Sequence, residues 1–151
     1  VELADRDHYS LLDSAKRFEN FEVGYGARIG LGQALKYLNE IGPSNVEARV
    51  LYLGEYCRRM ISSIPRVTLQ DTGTLKGGIV MFSVEGRSPV EVREFLHQHQ
   101  INVWASSGPG SLVDFQQRGI DCLVRASLHY FNTEQEIDKM AGLLESLPVV
   151  N

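Results

Sequence analysis

The chain has 151 residues, 43% of them hydrophobic and 23% charged, which is enough for one globular domain with a buried core. Its net charge of −4 offers no basic field for nucleic acid, and no apolar run approaches the ~20 residues of a membrane span. The first residues lack the basic and apolar regions of a signal peptide, so the sequence favours the cytoplasm, or the mature form in an organelle, as its location. The charge and the short apolar runs predict no nucleic-acid or membrane partner.

Two helices are predicted in the first part of the chain. Apolar residues recur at helical spacing between residues 18 and 41, although four glycines interrupt the front half of that segment. A second helix is predicted from residue 44 to residue 64, where Ser44 and Glu47 form a capping box. The charged residues on the far side of this helix, Arg58 among them, are interpreted as a solvated surface.

Strands and helices alternate in the rest of the chain. Capping boxes at Ser88–Glu91 and Thr133–Glu136 begin two further helices, and a long loop is predicted from residue 106 to residue 119. Strands are predicted at 67–69, 78–84, 101–105 and 120–126, the second of them apolar on both faces and therefore central and buried. This order predicts an α+β fold, in which helices cover one side of a small mixed or antiparallel sheet of three to four strands and long helices precede it.

Arg125 is the main candidate binding residue, because it is a charge at the end of an apolar run. Its planar guanidinium can hold a carboxylate or phosphate through two parallel hydrogen bonds. An ion pair with Asp121 or Glu134 explains the charge at this position equally well. The following residues, 129–132, either line the same binding site as Arg125 or cap the last helix, and the capping role is favoured for 131–133.

No other motif indicates catalysis or metal binding. His97 and His99 are two residues apart on a helix and therefore point away from each other, so no metal site is predicted. The segment 108–111 lacks the Lys-Ser/Thr that follows a phosphate loop, and the serines near it lack a Gly-x-Ser-x-Gly elbow. The two cysteines are expected to be buried thiols. The four lysines, none of which has the setting of an imine-forming lysine, are Lys16, Lys36, Lys76 and Lys139.

Several blocks of the sequence resemble class V aminotransferases, the pyridoxal-phosphate (PLP) group that includes cysteine desulfurases and isopenicillin-epimerase-like proteins. The last block, Val-Arg-Ala-Ser-Leu-His-Tyr-Phe-Asn-Thr-Glu-Gln-Glu-Ile-Asp, is the most specific. The blocks are residues 17–19, 30–37, 77–82, 101–103, 118–120 and 124–138. The resemblance extends over nearly the whole chain.

The resemblance implies a division of the chain and a role for Arg125. Residues 1–42 would be the helical trailing segment of the PLP-binding large domain, and 43–151 a hinge helix and the C-terminal small domain. Arg125 would bind the α-carboxylate of a small amino-acid substrate, and the PLP lysine would lie upstream, in the parent enzyme. The parent would be a cytoplasmic homodimeric transferase or lyase that uses PLP. No cofactor and no catalytic residue are expected in this chain alone.

Four further residues are predicted to face the substrate from a strand end and the following loop: Asn102, Trp104, Ser106 and Ser107. Two departures separate the chain from desulfurases. The loop 106–112 lacks their persulfide cysteine, and Asn-Phe-Glu-Val at 20–23 replaces their phosphate-binding Gly-Thr-Pro. The epimerase-like branch therefore fits better. The alternative hypothesis is a non-catalytic, stand-alone binding or interaction domain of the same fold; a chain that begins with Val1 favours an excised or processed piece.

Overall fold

A computed structural model describes residues 2–3, 5–19, 22–108 and 111–148. Backbone contacts divide the chain into two compact units, Val1–Ile41 and Gly42–Asn151. No helix in the described ranges is long and apolar enough to cross a membrane.

The first unit is a long helix preceded by short elements. Strands β1 (Glu2–Leu3) and β2 (Tyr9–Ser10) pair antiparallel, and a 3₁₀ turn follows at Ala15–Phe18. Helix α1 spans Tyr25–Ile41 and has no buried residue. Its large exposed apolar side chains are Tyr25, Ile29, Leu31, Leu35 and Tyr37.

The second unit is an antiparallel four-stranded sheet with helices. Its strands run in the order β3 (Val67–Leu69), β4 (Ile79–Val84), β6 (Cys122–Ser127), β5 (Trp104–Ser107). The helices are α2 (Pro43–Ser62), α3 (Pro89–Gln98), α4 (Leu112–Arg118) and α5 (Glu134–Ser146). The predicted α+β fold with a small antiparallel sheet is confirmed.

The core lies between one face of the sheet and α2, α3 and α5. Alternate residues of β4 and β6 contribute to it, because successive side chains of a strand point to opposite faces. The fully buried members of the core include Phe82, Val124, Leu53, Leu96 and Leu144. The intervening residues Met81, Leu123 and Arg125 therefore lie on the other face, which these three helices do not cover.

Two of the three predicted capping boxes are confirmed. Ser88 accepts from the Glu91 backbone N–H while the Glu91 carboxylate accepts from the Ser88 N–H, and Thr133 and Glu136 do the same. The predicted box at Ser44 is wrong. Helix α2 begins at Pro43 after Gly42, whose φ of +94° suits glycine, and proline fits the first helical position because it lacks an N–H.

Several boundaries differ from the prediction. The supposed loop 106–119 contains α4, which ends at Gly119 in the left-handed conformation that favours glycine. Strand β5 begins at Trp104 rather than at residue 101, and the first helix begins at Tyr25. Strand β4 is central, but Ile79 is 55% exposed, because no described element covers the second face of the sheet there.

Replacing Gly78 with alanine is expected to destabilise the second unit by about 1–3 kcal/mol. An added Cβ would clash with the Leu128 carbonyl oxygen and lie 2.7 Å from Val50 Cγ1, so the backbone would have to move. Gly77→Ala is the matched control, since its Cβ would meet nothing within 4 Å. Urea unfolding of both variants checks this. Equal losses of stability in the two variants would show that the close approach of Leu128 to Gly78 does not determine the effect of an added methyl group.

Candidate functional site

A pocket of about 360 Å³ lies on the second face of the sheet. Strand β4 contributes Met81, β6 contributes Arg125 and β5 contributes Ser106; α4 contributes Phe115. The segment from Gln70 to Gly77, which leads from β3 to β4, forms another wall. We call this cavity the Arg125 pocket.

Arg125 lies in the middle of β6 rather than near its end, because the strand spans Cys122–Ser127 instead of the predicted 120–126. Its cross-strand neighbours are Met81 of β4 and Trp104 of β5, so these three residues form one row on the same face. Val124 and Ala126 on either side point into the core and are buried. The strand period thus fixes the side on which the guanidinium lies, and this side is the pocket.

The guanidinium of Arg125 makes no ion pair or hydrogen bond with a described residue, and its Nε is buried without an acceptor. Glu134, one of the two acids that the sequence offered as a partner, instead binds Arg49. Asp121, the other, makes no ion pair within the described ranges. A half-buried arginine that lines an open pocket without an internal acid is available to an external anion.

Arg49 joins α2 to α5. It donates to both carboxylate oxygens of Glu134, at 2.6 and 2.9 Å, and to the Asn132 carbonyl oxygen at 3.0 Å. The hydrogen bond from Arg49 lowers the pKa of Glu134 from 4.5 to about 2. Because the folded-state pKa is depressed, this carboxylate contributes stability above about pH 4.5 and loses that contribution as the pH falls toward 2.

Glu134→Gln is therefore expected to be less stable than the wild type near neutral pH, and the difference should shrink between about pH 4.5 and pH 2. Urea unfolding across that range measures the difference. The matched control is Arg49→Met, in which the Glu134 substitution should have little effect at any pH. A stability difference that stays constant with pH would contradict the assignment.

Arg58 is buried, although the sequence analysis placed it on a solvated surface. Its side chain is 5% exposed, and Nε donates to Asp71 Oδ2 at 2.6 Å. Its Nη2 donates at 2.8 Å to the carbonyl oxygens of Gly77 and Ile79. Asp71 Oδ1 in turn accepts from the Met81 N–H at 2.8 Å. The pair therefore fixes the wall of the pocket that leads into β4.

A second ion pair also lines the pocket. Arg118 of α4 binds Asp114 at 3.0 Å and donates to the Gln70 carbonyl oxygen at 2.8 Å. This contact joins α4 to the end of β3. Both arginines are therefore engaged with internal acceptors, unlike Arg125.

The residues predicted to face the substrate do not all line one cavity. Ser106 lines the Arg125 pocket. Ser107 is exposed and pairs with Cys122 at the start of β6. The Asn102 side-chain oxygen accepts a hydrogen bond from His97 Nδ1 at 3.1 Å, and Asn102 lines a different cavity, beside α5. Residues 109 and 110 of the loop considered as a phosphate cradle lie outside the described residues.

The segment after Arg125 caps α5. The Asn132 side-chain oxygen accepts from the His129 N–H, and its amide nitrogen donates to Glu136. Phe131 is 69% exposed and its ring stacks on His129. The capping role, one of the two that the sequence left open, accounts for the Asn132 hydrogen bonds but not for the stacked ring of Phe131.

The cysteines are poor nucleophiles. Cys57 is fully buried, and burial raises its pKa to about 12. Burial also raises the pKa of Cys122, which is half-buried. Thiolates, rather than thiols, attack and transfer sulfur. Among the described residues no cluster of His, Cys, Asp or Glu could hold a metal ion.

The fold and the pocket define an α+β domain with an unpaired arginine on an open sheet face. The chain belongs to the class V aminotransferase family, whose sequence profile, described as aminotransferase class-V, matches residues 2–140. The resemblance inferred from the sequence blocks is thereby confirmed.

Cysteine desulfurases are among the similar proteins. A probable cysteine desulfurase 1 of Mycobacterium leprae is 32% identical over 130 residues, covering 84% of this chain and 21% of that protein. A probable cysteine desulfurase of Pyrococcus abyssi is 29% identical over 143 residues, covering 92% of this chain and 35% of that protein. The chain thus spans between about a fifth and a third of these relatives.

Solved structures show the same fold. The apo cysteine desulfurase of Thermococcus onnurineus NA1 superposes with a TM-score of 0.78 and 28% identity, over 97% of this chain and 37% of that one. A complex of the cystine C-S lyase C-DES with cysteine persulfide gives a TM-score of 0.66 at 23% identity, over 86% of this chain and 32% of that one. The second likeness concerns the fold alone.

The described residues do not fit PLP itself. All four lysines are exposed, whereas a lysine that forms an imine has to be desolvated. The pyridine nitrogen needs a carboxylate partner, but Asp71 is engaged by Arg58 and by the Met81 N–H. The Arg125 pocket fits a carboxylate better than it fits the cofactor.

Proposed function

We propose that this chain is the C-terminal part of a PLP-dependent class V enzyme that acts on an amino acid. In this proposal Arg125 binds the α-carboxylate of the substrate, and residues 43–151 form the small domain that closes over the active site. Residues 1–42 belong to the large domain. The parent enzyme is a homodimer, as implied by the family resemblance.

One observation carries the proposal. Arg125 lies in a pocket on the open face of the sheet, and no described acid neutralises it. A guanidinium with free Nη donors binds a carboxylate through two parallel hydrogen bonds, and such charged bonds are about twice as strong as neutral ones. Loss of carboxylate binding in Arg125→Lys tests the proposal.

The chain's own residues bind and orient the substrate in this proposal. The row formed by Met81, Arg125 and Trp104 offers apolar surface on both sides of the guanidinium. Such surface excludes water when the substrate is bound and strengthens the ionic contact. PLP, when bound by the parent enzyme, supplies the electron sink for bond cleavage next to the α-carbon.

Sulfur transfer through a cysteine of this chain is not part of the proposal. Cys57 is buried in the core and Cys122 lies in β6, and burial raises the pKa of both thiols. The loop 106–112 contains serines, glycines, a proline and a leucine, but no cysteine. The reaction catalysed by the parent enzyme therefore differs from desulfuration through a persulfide on this loop.

The chain alone is expected to be catalytically inactive. After incubation with PLP and reduction with borohydride, the 151-residue chain should carry only partial modification spread over its exposed lysines. Intact mass and peptide mapping measure the adduct. A one-to-one adduct at a single lysine would contradict the proposal that the reactive lysine lies outside this chain.

A further inference from the structure

The Arg125 pocket holds more positive charge than its own acids neutralise. The basic residues that line it are Arg58, Lys76, Arg118 and Arg125. Asp71 pairs with the first at 2.6 Å, and Asp114 pairs with the third at 3.0 Å. Lys76 and Arg125 make no ion pair within the described ranges. Two positive charges remain in this pocket, although the chain carries −4 overall.

The segment that carries Lys76 is anchored on both sides. Arg58 Nη2 binds the carbonyl oxygens of Gly77 and Ile79, just after Lys76. Before it, the Asp71 carboxylate is held by Arg58 and by the Met81 N–H. Lys76 is therefore the exposed end of a fixed segment at the rim of the pocket.

This anchoring requires a helix that passes very close to the segment. At Gly54 of α2 an added Cβ would lie 2.5 Å from the Gly77 carbonyl oxygen and 3.0 Å from Arg58 Nη1. Glycine inside a helix costs about 1 kcal/mol relative to alanine. Arg58 also has an Nη1 that is buried without an acceptor, and buried ion pairs seldom add net stability. The close approach of α2 and the buried guanidinium thus hold the backbone next to Lys76 in one position.

We propose that Lys76 and Arg125 form a subsite for two anionic groups, so that the substrate carries a second oxyanion at the end of its side chain. The inference rests on the proposed function, in which Arg125 takes the α-carboxylate. The ammonium of Lys76 is a point charge with three rotatable donors, so it can donate hydrogen bonds to a carboxylate, a sulfinate or a phosphate. The hydroxyls of Thr72 and Ser106 line the same pocket.

The test compares two ligands that differ only in one charge. Succinate and succinamate are titrated into the chain, and NMR chemical shifts give both dissociation constants. Succinate should bind about three- to tenfold more tightly, as expected for one added charged contact at a partly exposed site. The dissociation constant of a third ligand, 3-phosphonopropionate, shows whether a phosphonate binds more tightly than a carboxylate in the second position.

Two variants show which residue binds each anionic group. Lys76→Met should abolish the preference for succinate and leave the affinity for succinamate unchanged. Arg125→Lys should weaken the binding of both ligands. Lys139→Met, which removes an exposed lysine that lines a different cavity, is the matched control and should change neither.

Each failure has a separate meaning. Equal affinities of the wild type for succinate and succinamate, with Arg125→Lys weakening both, would overturn this inference and leave the proposed function standing. An equal loss for both ligands in Lys76→Met would also overturn it. If neither ligand binds, or if Arg125→Lys leaves succinamate binding unchanged, the carboxylate role of Arg125 is wrong and the inference falls with it.

Discussion

Arg125→Lys is expected to lower kcat/KM of the parent enzyme for its amino-acid substrate by about ten- to a hundredfold. Lysine keeps the positive charge, but it cannot form the two parallel hydrogen bonds of a guanidinium with a carboxylate. A hydrogen bond to a charged group is worth about 1.5–3 kcal/mol, and 1.4 kcal/mol corresponds to a factor of ten. Steady-state kinetics with wild type and variant measure the ratio.

Two controls separate carboxylate binding from a general loss of structure. Arg93→Lys makes the same substitution at a surface arginine that lies 3.5 Å from Glu94 and outside the Arg125 pocket, and it should leave kcat/KM unchanged. A substrate whose α-carboxylate is replaced by a carboxamide should react equally slowly with wild type and Arg125→Lys. If the variant slows both substrates alike, Arg125 does not act on the carboxylate.

Asp71→Ala is expected to destabilise the second unit by about 3–5 kcal/mol. The substitution leaves the guanidinium of Arg58 buried without its counter-charge, and it removes the acceptor of the Met81 N–H. Both side chains of the pair are nearly inaccessible, at 5% and 7% exposure, so solvent cannot replace the lost contact. Urea or thermal unfolding measures the loss.

Asp114→Ala is the matched control for this prediction. It removes the acid of the other ion pair at the pocket, but Asp114 is 53% exposed, so a loss below about 1 kcal/mol is expected. In Arg58→Met/Asp71→Leu no buried charge remains unpaired, and much of the stability should return. Similar losses for Asp71→Ala and Asp114→Ala would contradict the importance of the buried pair.

Short-range signals in the sequence predicted the second unit best. The capping boxes at Ser88 and Thr133 depend on residues three positions apart, and both form as predicted. The order of helices and strands predicted the α+β fold, and the segment 78–84, apolar on both faces, predicted the central position of β4. At Ser44 a competing local signal, the Gly42–Pro43 pair, determines where the helix begins instead.

Features that depend on distant residues were missed. Arg58 looks solvated from its helix alone, and it is buried because Asp71, thirteen residues later, folds back over it. Helix α4 was missed although Gly119 marks its end. Arg125 was selected for its charge in an apolar context, and the structure adds that no described acid pairs with it. Lys76 could be connected with Arg125 only after the pocket was known.

The uncovered face of the sheet has a practical consequence for handling this polypeptide. Ile79 and Trp104 lie on that face at 55% and 57% exposure, and α1 presents five large apolar side chains of its own. Large apolar side chains exposed on either unit promote precipitation and self-association. The edge strands β3 and β5 are only three and four residues long, which limits fibril-like edge pairing. Dilute samples are therefore the appropriate material for the titrations.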